Sequence, residues 1–288
     1  MRLSYTQTAV ARSCWMKYKF RYVDGLKPVT TKPSLTLGKI VHECFEQYYN
    51  GSDHTSIINH INKSFDETIS TVGPHEQEDL ILAKHTALGM WNNYPHNKDF
   101  QDIKPEVEFS IPISKTITYD GRVDGLVKKN DKYWIREVKT TGLSMRQFEG
   151  RMQTSYQATG YIWALQEKMN LPIQGVMYDC IKKPLLRKRV SETATEFGER
   201  IQSDYADEKK QPHYFSRHYT YRTEEDIKNY KEDMAHLIAE ICRRRDKKMF
   251  YRNTDACWSF NSECPYRRIC FREPDQLTLD LYYTRTGD

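Results

Sequence analysis

The chain has 288 residues, 29 % of them charged and 38 % hydrophobic, the balance of a soluble protein able to bury a sizeable core as one elaborated domain. It has no run of about 18 apolar residues, which excludes a membrane span, and its amino terminus lacks the apolar core of a signal peptide, so the cytoplasm is the expected compartment. The net charge of +5 permits a polyanionic partner without requiring one, and seven cysteines are an odd number for a secreted disulfide framework.

Residues 5–24 carry Val10, Cys14, Trp15, Tyr18 and Tyr22 at near-helical spacing, which predicts one amphipathic helix stopped at Gly25. The stretch 26–34, with Pro28 and Pro33, reads as a loop. A second helix is expected from Thr36 to near Asn50-Gly51, with Gly38 and His42 one turn apart on one face. Two further helical patterns fill residues 55–94, interrupted at Gly73-Pro74 and closed by Pro95. The period then changes to two around Glu108, and strands over 118–127 and 132–140 complete a meander. A long helix is predicted from about Met145 to Met169, ended by Pro172, and a strand follows over 174–183. Residues 193–208 and 223–249 read as helices on either side of an edge-strand pattern at 213–222. A sheet framed by helices makes the fold class α/β (α+β).

The two strands that follow the Glu108 strand hold the chemistry. Asn130-Asp131 between them suits a tight hairpin turn, and pairing Lys129 with Lys132 puts Asp124 directly opposite Glu137. Period two places Lys139 on the face of Glu137 and turns Trp134, Arg136 and Val138 to the other side. Opposed carboxylates are costly unless a cation lies between them, and oxygen ligands of this kind suit Mg2+ or Mn2+, which can generate hydroxide and neutralise a phosphoryl oxygen. Lys139 would then orient the attacking water or stabilise the developing charge. The same acids and lysine would also serve as surface ion pairs on a half-exposed hairpin.

Other candidates each carry a structural and a functional reading. His42 is by composition a packed core histidine, and the zincin pattern H-E-x-x-H is absent around it. Gln153, Gln157 and Tyr161 fall at i, i+4 and i+8 of the long predicted helix, a polar stripe facing solvent or a site. Cys257, Cys264 and Cys270 form C-x6-C-x5-C, which needs a fourth thiolate from Cys242, Cys180, Cys44 or Cys14 to close a zinc site or a cubane cluster. Lys182-Lys183, Arg187-Lys188-Arg189, and Arg243-Arg244-Arg245 with Lys247-Lys248 are candidate phosphate contacts or solvated helix faces.

Asp124 followed after twelve residues by Glu137-Val138-Lys139 resembles the D…(D/E)-x-K signature of the PD-(D/E)XK nuclease superfamily. Gly38-x-x-x-His42 resembles the helical metal-ligand element of its RecB-type branch, and Gln157-x-x-x-Tyr161 resembles the motif that follows the catalytic lysine there. One early cysteine plus three late ones, the last pair as C-P-x4-C, is similar to the iron-sulfur nucleases that include the AddB nuclease domain and the CRISPR-associated exonucleases. The gap of six between Cys257 and Cys264 departs from the usual two of that group, which keeps zinc as the alternative. The resemblance implies a single RecB-like nuclease domain over 1–288: a helical region 1–100, a restriction-endonuclease-like core 101–192 and a helical region 193–288 with an iron-sulfur staple. It implies a Mg2+- or Mn2+-dependent DNA exonuclease in repair, recombination or phage DNA processing, acting on single-stranded or double-stranded ends, alone or beside a helicase or recombinase. His42, Asp124, Glu137 and the Val138 carbonyl would hold the metal, and Lys139 would position the water. Gln157 and Tyr161 would support the substrate, and Glu108 would be a secondary site acid. Cys14, Cys257, Cys264 and Cys270 would hold a 4Fe-4S cluster. Two rivals stand beside this reading: a DNA-binding or assembly subunit with a vestigial site, and a zinc-stapled RNA-processing nuclease.

Overall fold

The structure is a computed structural model that describes residues 1–29, 32–96, 99–259, 262–272 and 275–285. In chain order the elements are β1 (Arg2–Leu3), α1 (Tyr5–Ser13), α2 (Trp15–Tyr18), a π-helical turn (Lys19–Val23), β2 (Leu26–Pro28), α3 (Pro33–Tyr49), α4 (His54–Ile69) and α5 (Pro74–Asn93). The strands β3 (Gln101–Ser114), β4 (Ile117–Lys129) and β5 (Lys132–Thr141) follow, then α6 (Met145–Gln153), α7 (Tyr156–Met169), β6 (Ile173–Lys182), α8 (Ala194–Ala206), α9 (Gln211–Tyr214) and β7 (Phe215–Tyr221). The last elements are α10 (Glu224–Lys247), β8 (Trp258–Ser259), β9 (Ser262–Glu263), α11 (Arg267–Cys270), α12 (Gln276–Tyr282) and β10 (Tyr283–Arg285). Among the described residues no helix is long and apolar enough to cross a membrane.

The chain divides into two compact units. One comprises Lys32–Phe109 and Arg122–Arg222, the other Met1–Thr31, Ser110–Gly121 and Thr223–Asp288.

The first of these is an α/β unit. Its sheet runs β4, β5, β6, β7, with β4–β5 antiparallel, β5–β6 parallel and β6–β7 antiparallel. The parallel pair needs a crossover, which α6 and α7 supply. β6 is buried along most of its length, as a strand covered on both faces must be, and β7 lies at the edge as its alternating aromatics predict. Apolar stripes of α3 (Leu37, Ile40, Val41, Cys44, Phe45) and α4 (Ile57, Ile61, Phe65) join α5 and α8 in one core that takes in Val138 and Ile181 of the sheet. Gly175 is required by the β6–β7 contact, because a Cβ there would lie 2.0 Å from the Thr220 carbonyl oxygen.

In the other unit β1 pairs in parallel with residues Thr118 and Tyr119 of β4, and β2 pairs with β10. A small core of Leu26, Tyr266, Ile269 and Tyr283, with Phe20 stacked on Tyr266, ties the chain's beginning to its end.

Three predicted elements are corrected. The helix over 5–24 is broken at Cys14, whose extended backbone (φ −162°, ψ 121°) separates α1 from α2. The helix expected from Thr36 begins at Pro33 instead; proline is tolerated in the first turn, where its missing N–H would have no partner anyway. Thr30 and Thr31 of the predicted loop lie outside the described residues. The long helix 145–169 is two helices, because the Ser155 hydroxyl accepts from the Ala158 N–H and starts α7 afresh. The short helix α9 escaped the sequence reading, since four residues show no periodicity.

Candidate active site

The β4–β5 hairpin turns on Asn130 and Asp131, both with left-handed backbone (φ 49° and 59°), the geometry of a two-residue turn whose twist matches that of the strands. Ladder pairs run from Lys129↔Lys132 to Gly125↔Arg136, the register expected from the sequence. One step further, Asp124 reaches across: its Oδ2 accepts from the Val138 N–H at 2.8 Å.

On the opposite face the Arg136 guanidinium is buried. It donates to Asp102 Oδ1 at 2.9 Å and to the Asp124 carbonyl oxygen at 3.0 Å, and lies 3.2 Å from the centroid of the Tyr49 ring. Gly125 leaves it room, since a Cβ there would meet its Nη2 at 2.9 Å. The Asp124 main chain is thereby fixed from behind, while its carboxylate lies on the other face.

The working face gathers four groups. His42, from the flank of α3, puts Nδ1 3.2 Å from Asp124 Oδ2. Lys139 Nζ donates to Glu137 Oε2 at 2.7 Å. Glu137 is only 3 % exposed, and its other oxygen, Oε1, is buried with no hydrogen-bond partner. Burial, and then the Asp124 charge, push the Glu137 carboxyl up to about 7. Asp124 is shifted the other way: burial opposes ionisation, but the hydrogen bond and charge of His42 with the charge of Lys139 outweigh it. Burial disfavours the charged forms of His42 and Lys139, yet both are held above their ordinary values, His42 by Asp124 and Lys139 chiefly by Glu137 and then Asp124.

α7 contributes the next layer. Gln157 Nε2 donates to the Tyr161 hydroxyl at 3.0 Å, and the Tyr161 ring, nearly buried, meets Phe109 edge-on. Burial and the Glu137 charge keep the Tyr161 hydroxyl protonated. Gln153 does not join them, because the break at Ser155 leaves it exposed on α6.

Glu108, expected as the secondary acid, is exposed, and its carbonyl accepts from Lys168. Glu106 is turned to the site instead. Its backbone is left-handed (φ 46°), Arg122 Nε lies 2.6 Å from its Oε2, and burial, with Asp124 among the nearby charges, raises its carboxyl. The sequence signal was Pro105, which cannot donate to a ladder and marks an irregularity where the side-chain alternation slips.

Cys14, Cys257, Cys264 and Cys270 line one small cavity, so of the four candidates for the missing thiol it is Cys14 that is brought to the late cysteines. The Asn253 N–H points at Cys14 Sγ (3.4 Å), and the Cys264 N–H donates to the Cys257 carbonyl (2.8 Å). Cys44 and Cys180 are buried in α3 and β6, and Cys242, on α10, does not line that cavity. Among the described residues no three His, Cys, Asp or Glu side chains already form a group able to hold a metal ion. Asp124 is closed onto His42 and Val138, and Glu137 onto Lys139.

A mixed sheet flanked by helices, presenting two acids and a lysine from one hairpin, defines a nuclease. The chain belongs to the PD-(D/E)XK nuclease superfamily, whose sequence pattern matches residues 2–271. Of solved structures, that of the Eubacterium rectale protein named "Putative exonuclease" is similar over 97 % of this chain and 92 % of its own, with a TM-score of 0.54 and 9 % identity. At that identity the likeness is one of fold. None of the curated proteins matches the chain.

Proposed function

We propose that the protein is a metal-dependent, RecB-like DNA exonuclease that hydrolyses phosphodiester bonds in DNA repair, recombination or phage DNA processing. The observation that carries this reading is the buried Glu137 carboxylate, one oxygen on Lys139 and the other without a partner, beside the ionised Asp124. An unmet buried carboxylate oxygen is costly, and a hard cation is the partner its chemistry suits. His42, Asp124, Glu137 and the Val138 carbonyl would hold that ion. Bound there, Mg2+ or Mn2+ supplies a water acidic enough to attack at neutral pH and a Lewis acid for the phosphoryl oxygen.

The chain's own groups do the rest. Lys139, kept as an ammonium by the acids around it, orients the attacking water and meets charge as it develops on the phosphoryl oxygens. Gln157 and Tyr161, already hydrogen-bonded to each other, offer an amide and a hydroxyl to the substrate backbone. Glu106, held by Arg122, adds negative charge at the metal side. Exonuclease action draws its support from the RecB-type motifs and from the name of the Eubacterium rectale neighbour.

Cys14, Cys257, Cys264 and Cys270 would hold a 4Fe-4S cluster. The fit rests on four thiols around one cavity, with a backbone N–H aimed at Cys14. Such a cluster supplies a cross-link between the two ends of the chain. Absorbance at about 400 nm in anaerobically purified protein separates it from zinc, which is colourless.

The test is digestion of end-labelled single- and double-stranded DNA and RNA with Mg2+, Mn2+ or EDTA. DNA is expected to shorten from its ends with either metal and to survive EDTA. Wild-type protein that leaves all four substrates intact in both metals would overturn the reading.

A further inference from the structure

The carboxy-terminal segment carries a feature the hydrolytic site does not use. A cavity of about 800 Å³ is lined by Arg267, Arg268, Arg272, Phe271, Tyr282 and Glu263, among others, all from residues 254–282. The same stretch leaves large aromatic rings in solvent: Trp258 is 61 % exposed, Phe271 52 % and Tyr282 39 %. The neighbouring small core takes its aromatic packing from Phe20, Tyr266 and Tyr283, which stack on one another and leave these rings outside it.

Each exposed ring has a guanidinium over it. Arg252 lies 5.5 Å from the centroid of Phe271, Arg267 6.0 Å from Trp258, and Arg268 4.1 Å from Tyr282. Arg267 is also tied to Glu263 and Arg252 to the Cys270 carbonyl, but neither Arg268 nor Arg272 pairs with a carboxylate among the described residues. Asp275, the other acid of the cavity, is engaged as the cap of α12.

Flat π-faces interleaved with unpaired guanidinium groups are complementary to one kind of polymer. Unstacked bases can lie on the rings or on the planar guanidinium groups, while phosphates take the free charges. Duplex DNA hides its base faces and would meet only the charges. We infer that the cavity of residues 254–282 is a binding site for single-stranded nucleic acid, which holds two or three nucleotides by stacking on Phe271 and Tyr282 and by phosphate contacts to Arg268 and Arg272. The inference rests on the reading of the chain as a nuclease and names the form in which the strand is held.

The experiment uses the full chain with Lys139→Ala, so that the probe survives. Fluorescein-labelled oligo(dT) and oligo(rU) of about 15 nucleotides, and a duplex of equal length, are titrated by anisotropy at several salt concentrations. Adding Arg268→Ala with Arg272→Ala is expected to weaken single-strand binding about tenfold near 0.1 M salt and to flatten the log–log salt slope by about 1.4, the share of two phosphates. Phe271→Leu, which keeps the apolar bulk and removes the ring, is expected to cost about fivefold with the slope unchanged. Loss on either single strand supports the site, and in the Phe271 variant duplex binding shifts by about twofold at most. An equal loss on duplex in the Phe271 variant, or displacement of the oligonucleotide by polyglutamate at matched charge, would show a surface that does not read bases and would overturn the proposal. So would unchanged binding in both variants of unaltered melting temperature. Cleavage of the same oligonucleotide by protein with Lys139 intact keeps the nuclease reading separate from that outcome.

Discussion

Lys139 and Glu137 lie two residues apart on β5, on one face as period two predicts, and touch at 2.7 Å. Asp124, Glu137 and Lys139 were therefore legible as a group in the sequence, because a strand leaves the side chain two faces to choose from and a hairpin fixes the partner. Glu106 was not legible. Its left-handed backbone breaks the alternation that pointed to Glu108, and a single residue at positive φ can be suspected beside a proline but not aimed. Lys139→Ala removes the ammonium that sits on Glu137, at the proposed reacting centre. Cleavage of labelled DNA is expected to fall by about 10²–10³-fold or more, with the circular dichroism spectrum retained; undiminished cleavage by a clean preparation rejects the role of the lysine.

Among the elements, the hairpin turn is the one that sets the geometry of the site. Asp131 holds φ 59°, a conformation glycine adopts without strain, and its ion pair with Lys128 lies in solvent, where such pairs count for little. Asp131→Gly is expected to raise stability by about 0.5–1 kcal/mol in urea unfolding and to leave cleavage unchanged, since the Asn-Gly pair is the best fit to this turn. The α6–α7 break is the contrasting case. Hydrophobic periodicity runs through it, so the sequence reads as one helix; the Ser155 hydroxyl, accepting from the Ala158 N–H, caps the second, and Arg222 donates to the Met152 and Ser155 carbonyls at the break. Ser155→Ala should cost about 1 kcal/mol in the same measurement. A cost near zero would mean that packing, not the cap, separates the two helices.

At the scale of the molecule, one of the two units is assembled from the beginning, a middle piece and the end of the chain. Such a unit faces a large closure entropy, which the burial of residues such as Leu3, Trp15, Tyr18, Met234 and Ile241 has to offset. A cluster on Cys14 and Cys257 would close a loop of roughly 240 residues and confine the unfolded chain accordingly. Cys264→Ser is expected to bleach the absorbance at about 400 nm and to lower the melting temperature by roughly 5–10 °C, read by calorimetry under anaerobic conditions. An unchanged melting temperature in a bleached protein would remove the staple while leaving the hairpin chemistry untouched.

The sequence by itself determined the strand alternation, the turn residues and the helix-forming stripes, and with them the hairpin register from Lys129↔Lys132 to Gly125↔Arg136. These are properties of neighbours along the chain, set by backbone sterics and by the periods of strand and helix. Only the tertiary structure decided which of four cysteines joins the late three, that Glu106 rather than Glu108 is turned towards Asp124, and that Arg136 is buried under Tyr49 to anchor the hairpin from behind. Those choices depend on contacts between residues far apart in the chain, where the free energy comes from burial and from satisfying charge. No local pattern encodes them.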